Sequence, residues 1–193
     1  MKSITVFCAS SPGFDAIYHS TAFALGQLLA EKGIGVVYGG AKVGLMGAVA
    51  NGALHANGKV TGVLPHFLRT KEISHEELTE LVMVESMHER KTKMNELCDG
   101  VIALPGGFGT LEELFEMLTW GQLGLHRKPI GLLNVNGFYD SLISLLEHMT
   151  ESGLLKEVNR RMLLVSDNAE DLLQQMEQYE APEVGKWLSE ETT

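Results

Sequence analysis

Short apolar segments alternate with helical segments along nearly the whole chain of 193 residues, and this alternation constrains the fold more than any other feature. The strand candidates are rich in β-branched residues and lack polar alternation, which is typical of strands that are buried on both faces. Amphipathic or apolar stretches long enough to form helices lie between most of them. The sequence therefore predicts an α/β, Rossmann-like three-layer fold, in which helices cover both faces of a mostly parallel sheet.

The predicted strands lie at 4–8, 35–38, 60–64, 81–84, 101–104, 130–133 and 162–165, and the predicted helices at 18–32, 45–57, 87–98, 111–123, 139–152 and 169–179. The length suits one well-buried domain and is short for two. We expect a single Rossmann-like domain over residues 1–180 and an acidic C-terminal tail over 181–193.

The composition argues against several classes of partner. A formal net charge of -10 disfavours a nucleic acid polymer, because phosphate backbones are bound by clustered Lys and Arg. No apolar run approaches the roughly 18 residues that a membrane span needs, so we expect no membrane association. The N-terminal segment lacks the apolar core of a signal peptide, which predicts a cytoplasmic protein.

Cys8 and Cys98 stand in apolar surroundings, which favours buried, reduced thiols over a disulfide or a catalytic thiol.

Three loops rich in small residues follow predicted strands, at 9–13, 39–44 and 105–110. In an open parallel sheet, ligands bind beyond the carboxyl ends of the strands, so we expect these loops to converge on one rim. Ser10 and Gly40 are candidate contacts from the first two loops. The stretch 39–47 fits neither standard nucleotide-binding glycine motif, and either a tight turn or a ligand loop explains its glycines.

The third loop, Pro105-Gly106-Gly107-Phe108-Gly109-Thr110, runs from a strand into a predicted helix. Unpaired backbone N–H groups and the helix dipole favour an anion at such a helix start, and glycines allow close approach. Glu112 and Glu113 follow directly. The alternative is structural, since Thr110 and Glu113 have the spacing of a capping box with Thr110 as the N-cap.

The helix predicted to begin at Met87 carries Arg90 and Lys91. Met87, Met94 and Leu97 can form its buried stripe, which would turn both basic residues away from part of the core. They are either a solvated basic face or an anion site, for which Arg is well suited. The histidines have no metal-ligand spacing and no nucleophile motif is present, so we expect neither a metal nor a cofactor.

Two motifs, Pro105-Gly106-Gly107-x-Gly109-Thr110-x-x-Glu113 and Met87-His88-x-Arg90-Lys91, together resemble the Lonely Guy (LOG) family of cytokinin riboside 5'-monophosphate phosphoribohydrolases. The similarity extends over about residues 4–165. It implies a Rossmann-like homodimer that hydrolyses the N-glycosidic bond of AMP or of an N6-prenylated adenosine monophosphate to the free base and ribose 5-phosphate. The label "lysine decarboxylase" also attaches to such sequences, but nothing here resembles a cofactor-dependent decarboxylase site.

The resemblance also implies roles for individual residues. It makes Arg90 and Glu113 the catalytic pair, and it surrounds the nucleotide with residues that include Glu72, whose flanking segment matches over few positions. The full set of candidate substrate-binding residues is Ser10, Gly40, Glu72, Lys91, Gly106, Gly107, Gly109, Thr110, Glu112 and Thr119. Two other functions stay open: a nucleotide-binding carrier or sensor without catalysis, and a hydrolase of another phosphoribosyl compound.

Overall fold

The computed structural model describes residues 1–69, 75 and 77–183, and within them seven strands form one sheet. The strands are β1 (Ser3–Phe7), β2 (Gly35–Tyr38), β3 (Val60–Pro65), β4 (Glu80–Val84), β5 (Gly100–Ala103), β6 (Ile130–Leu133) and β7 (Leu163–Ser166). Their order is β4-β3-β2-β1-β5-β6-β7, and neighbouring strands all pair in parallel. The predicted α/β fold is confirmed.

The described helices are α1 (Ala16–Glu31), α2 (Gly44–His55), α3 (Met87–Glu96), α4 (Phe108–Gln122), α5 (Asp140–Glu151), α6 (Glu157–Arg160) and α7 (Ala169–Glu177), with a 3-10 turn at Val135–Gly137. Residues of α1, α2 and α7 pack in one apolar cluster, and residues of α3, α4 and α5 in another. Alternate strand residues divide between the clusters, as Val6 and Phe7 of β1 do, because successive side chains point to opposite faces. The sheet is thus the middle layer of three.

Most predicted boundaries agree with the structure to within two residues, but α4 begins at Phe108 rather than at 111. The capping-box interpretation makes Thr110 the N-cap and therefore leaves the glycine at position 109 outside the helix. The first turn of a helix tolerates it, because those N–H groups have no intrahelical partner in any case. The 3-10 turn and α6 were not predicted, since each is too short to show a periodic pattern.

The chain reverses its direction of travel along the sheet beside β1. It runs outward from β1 through β2 and β3 to β4, then returns to place β5 on the other side of β1 and continues to β7. This arrangement opens a crevice between the carboxyl ends of β1 and β5, where α/β proteins bind ligands.

Three further sequence predictions concern the cysteines, the C-terminal tail and membrane-spanning helices. Cys8 and Cys98 are buried and free, as predicted. The boundary between a domain of residues 1–180 and an acidic tail stays a prediction, since residues 184–193 lie outside the described part. In the part that the structure covers, no helix combines the length and apolarity required to cross a bilayer.

Candidate active site

A cleft of about 390 Å³ lies at the carboxyl ends of β1 and β5. Its wall comes from the loops after β1, β2 and β5 and from α3 and α4. Backbone hydrogen bonds join these loops: the Ala9 N–H donates to the Pro105 carbonyl at 3.2 Å, and the Leu45 N–H donates to the Ala9 carbonyl at 3.0 Å. The lining residues are Val6, Phe7, Cys8, Ala9, Ser10, Ser11, Gly39, Met46, Arg90, Met94, Gly107, Phe108, Gly109, Thr110 and Glu113.

The N-terminus of α4 faces this cleft. Its N-cap is Gly107, and within the described structure no side chain caps the helix. The capping-box interpretation is therefore wrong: Thr110 lies three residues into the helix and Glu113 lies in its second turn. The early start follows from Gly106, where a Cβ would overlap the Thr110 hydroxyl. Backbone N–H groups at the start of α4 are left for an anion.

Arg90 lies on the buried side of α3, with 9% of its side chain exposed. Ser86 caps this helix by accepting a hydrogen bond from the Glu89 N–H at 3.0 Å. The buried apolar stripe predicted for this helix is partly wrong. Met87 is exposed, and Arg90 shares the buried face with Met94. A guanidinium is costly to bury without partners, so its position requires the contacts described next.

Those contacts come from β3 and α4. Arg90 Nε donates to the Val63 carbonyl at 3.1 Å, and Arg90 Nη1 donates to Glu113 Oε1, also at 3.1 Å. Both side chains of this ion pair are almost fully buried. The pair therefore holds a guanidinium group and a carboxyl group in fixed positions in the wall of the cleft.

Glu113 is set up to exchange a proton near neutrality. Burial raises the pKa of its carboxyl to about 7, the positive charge of Arg90 opposes that rise, and the nearby Glu112 and Glu116 carboxylates add to it. Burial has the larger effect because the carboxylate loses most of its hydration. A base with a pKa near the working pH is suited to general base catalysis.

Cys8 lines the cleft beside this pair but is not set up as a nucleophile. Burial, together with the negative charge of Glu113, raises the pKa of the Cys8 thiol well above its usual value, and Arg90 only partly offsets this. A thiol must ionise to act as a nucleophile. Cys8 is therefore a neutral part of the cleft wall.

Lys91 points to a different set of partners from Arg90. Its Nζ contacts Glu112 Oε1 and lies 3.0 Å from Glu116 Oε2, so it joins α3 to α4 outside the cleft. Partial burial lowers the pKa of Lys91, but the hydrogen bonds to Glu112 and Glu116 raise it by more. The ammonium group stays charged and its charge is balanced by two carboxylates.

The structure brings six of the predicted site residues together in the cleft: Ser10, Arg90, Gly107, Gly109, Thr110 and Glu113. Gly106 lies directly behind them. Lys91 and Glu112 form the outer ion pair, and Thr119 is exposed near the far end of α4, where its hydroxyl donates to the Phe115 carbonyl at 2.7 Å. Gly40 is buried beside Leu64, and its carbonyl accepts the His75 N–H at 3.2 Å. Glu72 lies outside the described residues.

Several cleft residues were not predicted, among them Gly39, Met46 and Phe108. The sequence shows two consecutive glycines after β2, but it does not say which of them lines the cleft. Gly39 lines the cleft. Gly40 has a φ of +80° and is not among the residues that line the cleft. Nothing in the sequence marks Met46 as a cleft residue, since an apolar residue in a helix usually belongs to the core.

The family model described as "possible lysine decarboxylase" matches residues 46–176. The cytokinin riboside 5'-monophosphate phosphoribohydrolase LOG7 of Arabidopsis thaliana is 46% identical over 93% of this chain and 82% of its own. The LOG protein of Oryza sativa subsp. japonica, which bears the same activity name, is 45% identical over 92% of this chain and 74% of its own. The chain belongs to the LOG family.

Solved structures similar to this LOG-family chain share its fold. The X-ray structure of TM1055, a structural-genomics target, is 26% identical with a TM-score of 0.72 and covers 93% of this chain and 100% of that one. The molybdenum cofactor binding protein from Rippkaea orientalis is 23% identical with a TM-score of 0.66, over 91% and 94% of the two chains. At that identity the second likeness concerns the fold alone.

Proposed function

We propose that this LOG-family protein hydrolyses the N-glycosidic bond of adenosine 5'-monophosphates, either AMP or an N6-prenylated derivative, to the free base and ribose 5-phosphate. One observation carries the proposal: the buried Arg90–Glu113 pair and the uncapped N-terminus of α4 line the same cleft. The relatives named as cytokinin riboside 5'-monophosphate phosphoribohydrolases support the same chemistry.

In this proposal the 5'-phosphate binds at the start of α4. The N-terminal end of a helix dipole is positive, and the backbone N–H groups there lack intrahelical partners. Gly107 and Gly109 face open space within the described structure, so a phosphate can approach the backbone closely. Thr110, buried at the cleft, and Ser10, exposed on the opposite loop, supply hydroxyl groups. Holding the phosphate fixes the ribose relative to Glu113 and lowers the entropic part of the barrier.

Glu113 acts at the ribose carbon C1'. Positive charge builds on the sugar as the bond to the base lengthens, and a carboxylate beside it stabilises this oxocarbenium-like state. Water adds its oxygen to C1', the C1'–N bond breaks, and the bonding electron pair leaves with the base. One proton of the water passes to Glu113, and the departing base nitrogen takes up a proton from solvent. The products are ribose 5-phosphate and the neutral base.

Arg90 counters the repulsion between two like charges. An anionic nucleotide and an ionised Glu113 repel each other in a cleft of low dielectric constant, and the guanidinium between β3 and α4 offsets this. Its second role is to keep the Glu113 carboxylate in one orientation. Lys91 and Glu112 then hold α3 against α4 from outside the cleft, which keeps Arg90 and Glu113 in place.

We extend the proposal to a cytoplasmic homodimer without membrane or nucleic acid partners. Apolar side chains lie exposed on and after α4, among them Phe115, Leu123 and Leu125, and a symmetric interface would bury them. Thr119 and Glu72 belong to this extended proposal as further contacts of the nucleotide. Light scattering of the purified protein measures the mass and decides between monomer and dimer.

One experiment separates the three candidate functions. The purified protein is incubated with AMP, with N6-isopentenyladenosine monophosphate and with other nucleoside monophosphates, and released base and ribose 5-phosphate are measured by chromatography. We expect release from the adenine nucleotides. Tight binding of AMP without turnover would indicate a carrier or sensor. Release only from a nucleotide without adenine would indicate a different phosphoribosyl hydrolase.

A further inference from the structure

The space next to Gly39, directly after β2, is filled by the side chain of Arg90. A Cβ built on Gly39 would fall well within 3.0 Å of Arg90 Nη2, a separation that real Cβ atoms essentially never show. It would also lie 3.3 Å from Arg90 Cζ and 2.9 Å from the sulfur of Met46. Any residue other than glycine would therefore displace the guanidinium.

The backbone does not explain this glycine. Gly40, the next residue, has a positive φ that favours glycine for conformational reasons, but Gly39 is not among the positive-φ residues of the described chain. What position 39 requires is the absence of a side chain.

Three contacts thus fix the guanidinium, one for each nitrogen. Nε donates to the Val63 carbonyl, Nη1 donates to Glu113, and Nη2 lies against the bare Cα of Gly39. Arg side chains have many rotamers, and a contact on each side is needed to select one of them. The first two contacts are hydrogen bonds, and the third is steric.

We propose that Gly39 is a positioning residue, whose missing side chain sets the place of the Arg90 guanidinium and, through it, of Glu113. This inference rests on the proposed hydrolysis for its activity readout. The atoms that the new methyl group would meet most closely, Arg90 Nη2 and the Met46 sulfur, belong to flexible side chains, so in Gly39→Ala the guanidinium moves and the backbone does not.

Gly35→Ala supplies a matched control. Gly35 is the first residue of β2, the strand that ends just before Gly39, and a Cβ at Gly35 meets no described atom closer than 3.7 Å, which is ordinary contact. For Gly39→Ala we expect kcat for the nucleotide to fall about 10- to 100-fold, because a displacement of about 1 Å at a reacting group has costs of that size. We expect Gly35→Ala to keep the wild-type kcat, and both variants to unfold cooperatively.

A double variant tests whether Gly39 acts through Arg90. Arg90→Ala removes the nearer of the two side chains that the new methyl would meet and leaves only the flexible end of Met46. Adding Gly39→Ala should then lower kcat by less than about twofold more, as expected when two changes disrupt one interaction. A further loss as large as that seen in the wild-type background would overturn the proposal, and so would a wild-type kcat in Gly39→Ala.

The titration of Glu113 gives a readout that does not depend on turnover. The charge of Arg90 holds the pKa of Glu113 below the value that burial alone would give. Displacing the guanidinium should therefore move the Glu113 titration, followed by isotope-edited NMR of its carboxyl carbon, to higher pH in Gly39→Ala and not in Gly35→Ala. An unchanged titration overturns the inference. An inactive wild-type protein with the expected titration refutes the proposed hydrolysis and leaves the positioning role supported.

Discussion

Arg90 Nη1 lies 3.1 Å from Glu113 Oε1, and this ion pair joins the second turn of α4 to the buried face of α3. The two residues are 23 positions apart in the sequence. Neither is more than about a tenth exposed, and the charge of Arg90 offsets only part of the cost of burying the Glu113 carboxylate. The pair is the centre of the proposed site.

Glu113→Gln should lower kcat by at least about 100-fold, the usual contribution of a general base. Glutamine keeps the size and the hydrogen-bonding capacity of the side chain but takes no proton and carries no negative charge. Chromatography of the released base measures the effect. Glu147→Gln, an exposed change on α5, is the control and should keep the wild-type rate. Undiminished release by Glu113→Gln would remove Glu113 from the mechanism.

The rate should depend on pH through the same carboxyl. Glu113 must be ionised to accept a proton, and burial raises its pKa to about 7. We therefore expect kcat/KM to fall about tenfold per pH unit below that value and to level off above it. Initial rates over a series of buffers at constant ionic strength measure this profile. A plateau that continues down to the ordinary range of a carboxyl would show that another group limits the rate.

The stability of the protein should also depend on pH through Glu113, with the opposite sense from most carboxyls. Its pKa is raised on folding from 4.5 to about 7, so between these values the folded chain holds a proton that the unfolded chain has lost. The free energy of unfolding contributed by this group is full below the lower value and is lost as pH rises through the upper one. Glu113→Gln cannot titrate, so it should match wild type at low pH and become the more stable of the two at high pH. Thermal unfolding of both proteins across this range measures the difference, and a gap that is independent of pH would contradict it.

Thr110→Val should weaken nucleotide binding without weakening the fold. Thr110 is buried in the wall of the cleft, and valine has nearly the same shape. Losing a hydrogen bond to a charged phosphate costs about 1.5–3 kcal/mol, which raises KM by roughly 10- to 150-fold. The control is Thr150→Val on α5, whose hydroxyl bonds to its own helix. A KM that stays at the wild-type value would place the phosphate elsewhere.

Lys91→Gln should lower stability more than Lys93→Gln does. Lys91 is largely buried and contacts carboxylates of two residues on α4, whereas Lys93 pairs with Glu96 on the exposed face of its own helix. We expect a loss of about 1 kcal/mol for Lys91→Gln, at the upper end for such pairs, reduced at high salt because Glu112 is exposed. Urea unfolding at two ionic strengths measures both effects. Equal losses of stability for the two variants would show that the link between α3 and α4 contributes no more than the exposed pair of Lys93 and Glu96.

The agreement between sequence and structure differs from element to element. Strands such as β2 and β6 were predicted to the residue, because a short apolar run between turn signals has few other interpretations. The start of α4 was placed three residues late, since local propensity disfavours glycine in a helix and the packing of Thr110 over Gly106 is invisible in sequence. For α3 the apolar pattern put Met87 inside, whereas the structure buries Arg90, whose cost is met by partners on β3 and α4.

The sequence by itself determined the parallel α/β architecture, the presence of a helix after the third glycine loop and the motifs that mark the LOG family. These depend on local periodicity and on residues close together in the chain. The tertiary structure alone decided the contacts of these side chains: it placed Arg90 Nη1 3.1 Å from Glu113 Oε1, directed Lys91 to Glu112 and Glu116, and put Gly39 rather than Gly40 in the cleft. The physical reason is that burial and charge compensation depend on distances between elements far apart in sequence, and the order of strands in the sheet fixes those distances.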